Sequence, residues 1–168
     1  MTQLPLLQPQ LQQQPLIAAT VAAPMAIPVL NSFLEKAGLR RIAITEDGNC
    51  FYRALSLAYY KDEGLHHTLR LMTMNRLRED TDMYEAYFAN CNFKRCIIAN
   101  RREGVWNTGI ADIIPAVVTD LLNICLVIHN YDTDTQTMQI HEYGNGNGDR
   151  ERINMLRTND NHYDLLEK

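Results

Sequence analysis

The distribution of charge confines the fold before any motif is considered. The chain carries 16 basic and 20 acidic side chains, and all of them lie from Glu35 onward. Residues 1–34 hold no charge but five of the six prolines (Pro5, Pro9, Pro15, Pro24 and Pro28), with glutamines clustered from Gln8 to Gln14. Proline removes a backbone donor and fixes φ, so no regular element of useful length is expected there. Residues 1–30 are therefore expected to be a flexible, uncharged leader rich in Gln, Pro, Ala and Leu, and residues 31–168 the folded domain. A secretory signal needs a basic start and an unbroken apolar run. The first cation is Lys36, and Pro24 and Pro28 interrupt residues 16–30. That run is also too short to span a bilayer, so no membrane association is expected.

The length of 168 residues suits one domain, long enough to bury roughly two-thirds of its unfolded surface. Hydrophobic residues make up 46% and charged residues 21%. These values exclude a wholly disordered chain, a coiled coil and a collagen-like fibre. The net charge of −4 argues against a general nucleic-acid surface. Four cysteines, Cys50, Cys91, Cys96 and Cys125, are too few for a disulfide scaffold and suit a reduced, cytoplasmic protein. Cys91 and Cys96 have no second pair at zinc-site spacing, so no metal and no cofactor are expected.

Along the folded part, Ser32 to Glu35 reads as a capping box, with Gly38 ending a short helix. Residues 39–45 read as a strand and Glu46-Asp47-Gly48-Asn49 as a turn. Phe51, Ala54, Leu55 and Ala58 fall on one face of a helix over residues 50–60. Helical segments follow at 69–77 and 82–88. Ile110, Ile113, Ile114, Val117, Val118, Leu121 and Leu122 form an unbroken helical stripe. With Asp112 as N-cap, Pro115 falls in the first turn, where its missing N–H costs nothing. Residues 124–129 are apolar on both faces, as in a buried central strand. Residues 138–143 and 153–157 read as strands joined as a hairpin through the glycine-rich 144–149, and 162–166 as a last strand. Helices first and strands later make an α+β protein, with a small, mostly antiparallel sheet packed between helices.

Cys50 follows Asp47-Gly48-Asn49 and opens an amphipathic helix. A helix N-terminus has unpaired N–H groups and a positive dipole end, which favour a thiolate. With the N–H groups of Gly48 and Asn49, that of Cys50 is placed to hold an oxyanion. A thiolate also needs a base. Of the five histidines, only His162 has an orienting group in its own segment: in His162-Tyr163-Asp164, residues two apart share one face of a strand. Read alone, Cys50 is a small buried hydrophobe after a common turn, and 162–166 an ordinary edge strand.

The combination changes that reading. Asp47-Gly48-Asn49-Cys50-Phe51-Tyr52-Arg53-Ala54-Leu55 resembles the nine-residue signature of the ovarian-tumour (OTU) family of cysteine peptidases. His162-Tyr163-Asp164 resembles that family's second block. Between them Trp106, Asp112, the 110–122 stripe and the 124–129 strand resemble the family's order of elements. The resemblance covers about residues 39–166, and the leader lies outside it. Asn107-Thr108 and Pro115 depart from the family pattern, in the middle of the domain.

The resemblance implies a papain-like OTU fold and a thiol-dependent deubiquitinase. Cys50 would be the nucleophile, His162 the general base and acid, and Asp164 the residue holding the imidazole. Asp47 would shape the loop and the oxyanion hole, and Trp106 would line the channel for the substrate tail. The partner it implies is ubiquitin, a polyubiquitin chain or a ubiquitin-like modifier, bound by a monomer in the cytoplasm. Two alternatives stand beside it: a viral-type protease that also processes a polyprotein, and a catalytically inactive ubiquitin-binding module.

Overall fold

The computed structural model describes residues 27–87, 92–106, 108–144, 149–158 and 161–168. Seven α-helices, two single 3₁₀ turns and five strands are assigned among them. Helix α1 (Ile27–Lys36) and the short strand β1 (Arg40–Ile42) precede α2 (Cys50–Tyr60) and α3 (His66–Glu79). Next come α4 (Thr81–Tyr84), α5 (Phe93–Asn100), α6 (Thr108–Ala111) and α7 (Ile114–Leu122). The strands β2 (Cys125–Asp132), β3 (Thr137–Tyr143), β4 (Arg152–Thr158) and β5 (Tyr163–Glu167) complete the domain. None of the described helices is long and apolar enough to cross a membrane.

The sheet runs β1-β5-β4-β2-β3. Three of its four pairings are antiparallel, and β2 with β4 is parallel. The expected hairpin between residues 138–143 and 153–157 does not form. The buried strand β2 lies between them and pairs with both. A strand apolar on both faces gains most from a central place, whereas β3 is largely exposed and suits the edge.

Alternation along the strands divides the core in two. Leu126 and Ile128, Ile153 and Met155, and Tyr163 and Leu165 face the main core, which is built on α2, α3 and α7. Tyr131, Leu156 and Leu166 face the other side, where Leu30 and Leu34 of α1 cover them. The sheet thus lies between helices, as expected.

Helix α1 starts at Ile27, across the boundary expected at 30/31 and ahead of the expected capping box. Pro28 lies in its first turn, where the missing N–H is not needed, and burial of Leu30 and Leu34 supplies the reason to fold. The leader's residues 1–26 lie outside the described residues. The apolar stripe from Ile110 divides into α6 and α7. Ile113, not Asp112, is the N-cap of α7, and Pro115 falls in its first turn. The helix α5 carries no expectation from the sequence. Its N-cap is Asn92, whose side chain accepts from Arg95 N–H.

Candidate active site

Two local devices bring Cys50 and His162 to one cleft. Cys50 is the first residue of α2, and His162 immediately precedes β5. The residue after each is aromatic, and these two rings meet: Phe51 and Tyr163 lie edge to face with centroids 5.1 Å apart. Trp106 packs on both, at 5.3 Å from Phe51 and 5.6 Å from Tyr163. This buried aromatic cluster pins the start of the helix to the start of the strand. Cys50, His162, Asp47, Gly48, Trp106 and Asn161 then line a cleft of about 410 Å³.

His162 Nε2 is 3.0 Å from Asp164 Oδ1, the same-face contact that strand periodicity predicts. A carboxylate there fixes the tautomer with the proton on Nε2, so Nδ1, which is also buried, is the basic nitrogen. Asp164 is itself held hard. Its Oδ1 also accepts from Ile44 N–H at 2.7 Å, and its Oδ2 accepts from Arg41 Nε at 2.6 Å and Nη2 at 2.5 Å. Asp164 is 1% exposed, so these donors replace its water.

Cys50 Sγ lies 3.9 Å from the carbonyl oxygen of Asn161. Burial pushes its thiol above the usual range, against the stabilising N–H groups of Tyr163 and Phe51; the charges of Asp47 and Asp164 raise it further. Desolvation thus outweighs the N–H groups at the start of the helix, which favour the thiolate.

Asp47 bonds within its own segment. Its carboxylate accepts from Asn49 N–H at 2.9 Å, from Asn49 Nδ2 at 3.1 Å, and from Arg53 Nη2 at 2.9 Å. Burial would raise its pKa, but these bonds from Arg53 and Asn49 prevail and hold it below the usual carboxylate value. The Asn49 N–H, one of the expected oxyanion donors, is thus engaged with Asp47. The Cys50 N–H closes a turn onto Asp47 O at 3.1 Å. The Gly48 N–H takes part in neither bond. A Cβ on Gly48 would lie 1.8 Å from the Gly104 carbonyl oxygen, so only glycine lets these two loops touch.

Several supporting residues escaped sequence reasoning. Arg41 braces Asp164. Arg157 holds the Asn161 side chain and lies over the Tyr163 ring. Arg70, fully buried, bonds Gly48 O and Asn49 Oδ1. Arg70 did leave a signal, since it falls on the face of α3 that buries Leu69, Thr73, Met74 and Leu77. A cation in an apolar stripe marks a buried polar contact. Of the other cysteines, Cys125 is buried in β2 against Glu142, and Cys91 lies outside the described residues. Among the described residues, no group of three or more His, Cys, Asp or Glu side chains converges as a metal site would need.

The sequence model of the family described as OTU-like cysteine protease matches residues 45–163. OTU domain-containing protein 1 of Homo sapiens is 32% identical over 76 residues, which is 45% of this chain and 16% of that protein. The Arabidopsis thaliana protein named ovarian tumor domain-containing deubiquitinating enzyme 12 is 31% identical over 96 residues, 57% of this chain and 43% of that protein. The matched region thus spans less than half of either curated relative. Among solved structures, the OTU domain of OTUD1 aligns with a TM-score of 0.72 at 23% identity, covering 85% of this chain and 95% of that one. The Hazara virus OTU bound to ubiquitin aligns with a TM-score of 0.63 at 18% identity, covering 77% of this chain and 80% of that one. Both likenesses are of fold.

Proposed function

The chain belongs to the OTU-like cysteine protease family, and we propose that it is a thiol-dependent deubiquitinase cleaving isopeptide bonds at the C-terminus of ubiquitin. The observation that carries the reading is the buried His162–Asp164 bond of 3.0 Å beside Cys50 in one cleft. That one relative is named a deubiquitinating enzyme and that a similar fold is bound to ubiquitin support the substrate class.

In this reading His162 Nδ1 takes the proton from Cys50 Sγ, and the thiolate attacks the carbonyl carbon of the terminal glycine. Asp164 stabilises the imidazolium and keeps Nε2 protonated. The oxyanion is received by the loop N–H groups of Gly48, Asn49 and Cys50, of which those of Asn49 and Cys50 also bond Asp47, at 2.9 and 3.1 Å. Collapse of the intermediate breaks the C–N bond, and the imidazolium returns the proton to the departing lysine amine. Water, deprotonated by His162, then hydrolyses the thioester and frees Cys50. Trp106 forms a wall of the cleft where the glycine-ended tail lies.

An inactive ubiquitin-binding module would have no need of the braced His162–Asp164 pair. The test is a ubiquitin probe with a C-terminal electrophile: wild type forms a covalent adduct and Cys50→Ala does not. Absence of an adduct with wild type, or equal labelling of the variant, overturns the reading. A panel of differently linked ubiquitin chains then resolves linkage preference.

A further inference from the structure

We propose that Arg70 is a positioning residue, whose buried guanidinium ties the oxyanion loop to the segment that carries Trp106 so that the two form one rigid unit. The inference rests on the cysteine-protease reading of the site.

Arg70 is 0% exposed and lies in the middle of α3. Its Nη2 donates to Gly48 O at 2.6 Å and to Asn49 Oδ1 at 2.9 Å, both in the loop before the nucleophile. Its Nη1 donates to Asn100 O at 3.0 Å and Val105 O at 2.6 Å, the two ends of the loop that leads to Trp106. One planar fork therefore spans both walls of the cleft. The same two loops meet directly: Gly104 N–H donates to Asn49 Oδ1 at 2.8 Å, and Gly48 rests on the Gly104 backbone. The guanidinium also stacks on the Tyr52 ring, 4.5 Å from its centroid, two residues after Cys50.

A buried cation that merely filled space would be a poor choice. Among the described residues, none of its hydrogen-bond partners is a carboxylate, and its Nε is buried with no partner. Burying a charge on such terms is costly, and an apolar side chain of similar volume would pack as well. What the fork supplies and an apolar chain does not is four directed bonds, two to the loop before Cys50 and two to the loop that leads to Trp106. Gly48 O belongs to the Gly48–Asn49 peptide, which lies between the peptides carrying the Gly48 and Cys50 N–H groups, so anchoring it limits where those two point, and an oxyanion donor acts only within hydrogen-bond range of the developing charge. The cation also lies near enough to Cys50 for a thiolate there to favour its charged form, although burial works against that form. By reciprocity the cation favours the thiolate.

Arg70→Lys separates these contributions, because it keeps the charge and loses the fork. With a fluorogenic ubiquitin amide as substrate, kcat is expected to fall roughly 10- to 100-fold, the cost of misplacing a reacting group by about 1 Å. Alkylation of Cys50 by iodoacetamide, which needs only the thiolate, should stay within about three-fold of wild type. Hydrogen exchange should quicken together in peptides covering 46–49 and 101–106, a readout that does not depend on hydrolysis. Should Arg70→Lys fail to fold, Asn49→Ala, which removes one acceptor from each loop contact, must give the same split. Loss of hydrolysis and alkylation in proportion, unchanged kcat, or exchange that quickens in only one loop overturns the proposal. If wild type hydrolyses no ubiquitin substrate, the deubiquitinase reading fails, while the exchange experiment still decides the role of Arg70.

Discussion

Replacing Gly48 by alanine is the smallest change that tests the geometry of the cleft. The added methyl group would lie 1.8 Å from Gly104 O and 2.2 Å from its carbonyl carbon. Real contacts of this kind do not fall below 3.0 Å, so the two loops must part by about 1.2 Å or more. Both surfaces are backbone, so no rotamer relieves the clash. The bonds that cross this junction start at 2.6 to 2.9 Å, and that movement takes them to roughly 3.8–4.1 Å, past the limit of a hydrogen bond. A displaced oxyanion donor costs roughly 10²- to 10³-fold in kcat, about 2.7–4 kcal/mol of barrier. The helix and strand carrying Cys50 and His162 are held by the aromatic cluster and are not pushed. Steady-state hydrolysis of a fluorogenic ubiquitin amide should therefore show kcat falling by that factor, while iodoacetamide still alkylates Cys50 at nearly the wild-type rate. A variant that keeps kcat within about three-fold of wild type would falsify the placement of the Gly48 loop at the oxyanion site.

Asp164→Asn should lower the rate roughly 10- to 10⁴-fold with the melting temperature little changed, because the amide keeps the shape and loses the charge that supports the imidazolium. Asp164→Ala should also unfold more readily, by roughly 2–4 kcal/mol, since it strands the Ile44 N–H and half-exposed Arg41; equal melting curves for the two variants would contradict this. Asp47→Asn should shift the pH profile of Cys50 alkylation to lower pH, since burial first and then the Asp47 charge raise the thiol, and the variant removes that charge; an upward shift refutes it. The folded-state pKa of Asp47 is depressed, so its contribution to stability is present above the ordinary carboxylate value and is lost as pH falls through the folded one, which acid melts of wild type and Asp47→Asn would detect. Leu34→Ala, which empties a 4%-exposed site against Tyr131, Leu156 and Leu166, should cost roughly 2–4 kcal/mol in denaturant melts and leave kcat intact; unchanged stability would show that α1 is not part of the fold.

The parts of the site that were legible in sequence are those encoded over a few consecutive residues. Cys50 opens a helix because apolar residues recur at helical spacing behind an Asp-Gly-Asn turn. His162 and Asp164 meet because strand residues two apart share a face, and the 3.0 Å contact follows from that alone. Pro115 falls in a first turn because the missing N–H is tolerated only there. Each statement depends on the local geometry of the chain, which neighbouring residues dictate.

Only the tertiary structure decided which elements became neighbours. Both β3 and β4 suit a hairpin, yet burial of both faces of β2 puts that strand between them. Helix α1 extends back to Ile27, inside the uncharged segment, because the second face of the sheet needs Leu30 and Leu34. The N–H groups of Asn49 and Cys50, both expected at the oxyanion, turn onto Asp47. Arg41 and Asp164 are 123 positions apart, and Arg70 and Asn49 are 21 apart. No periodicity links such pairs, because they meet only after the sheet and helices have packed and the buried charge must find donors or acceptors within reach. Neighbouring residues therefore placed Cys50 at a helix start and His162 beside Asp164, while packing chose the arginines that hold the loops around them.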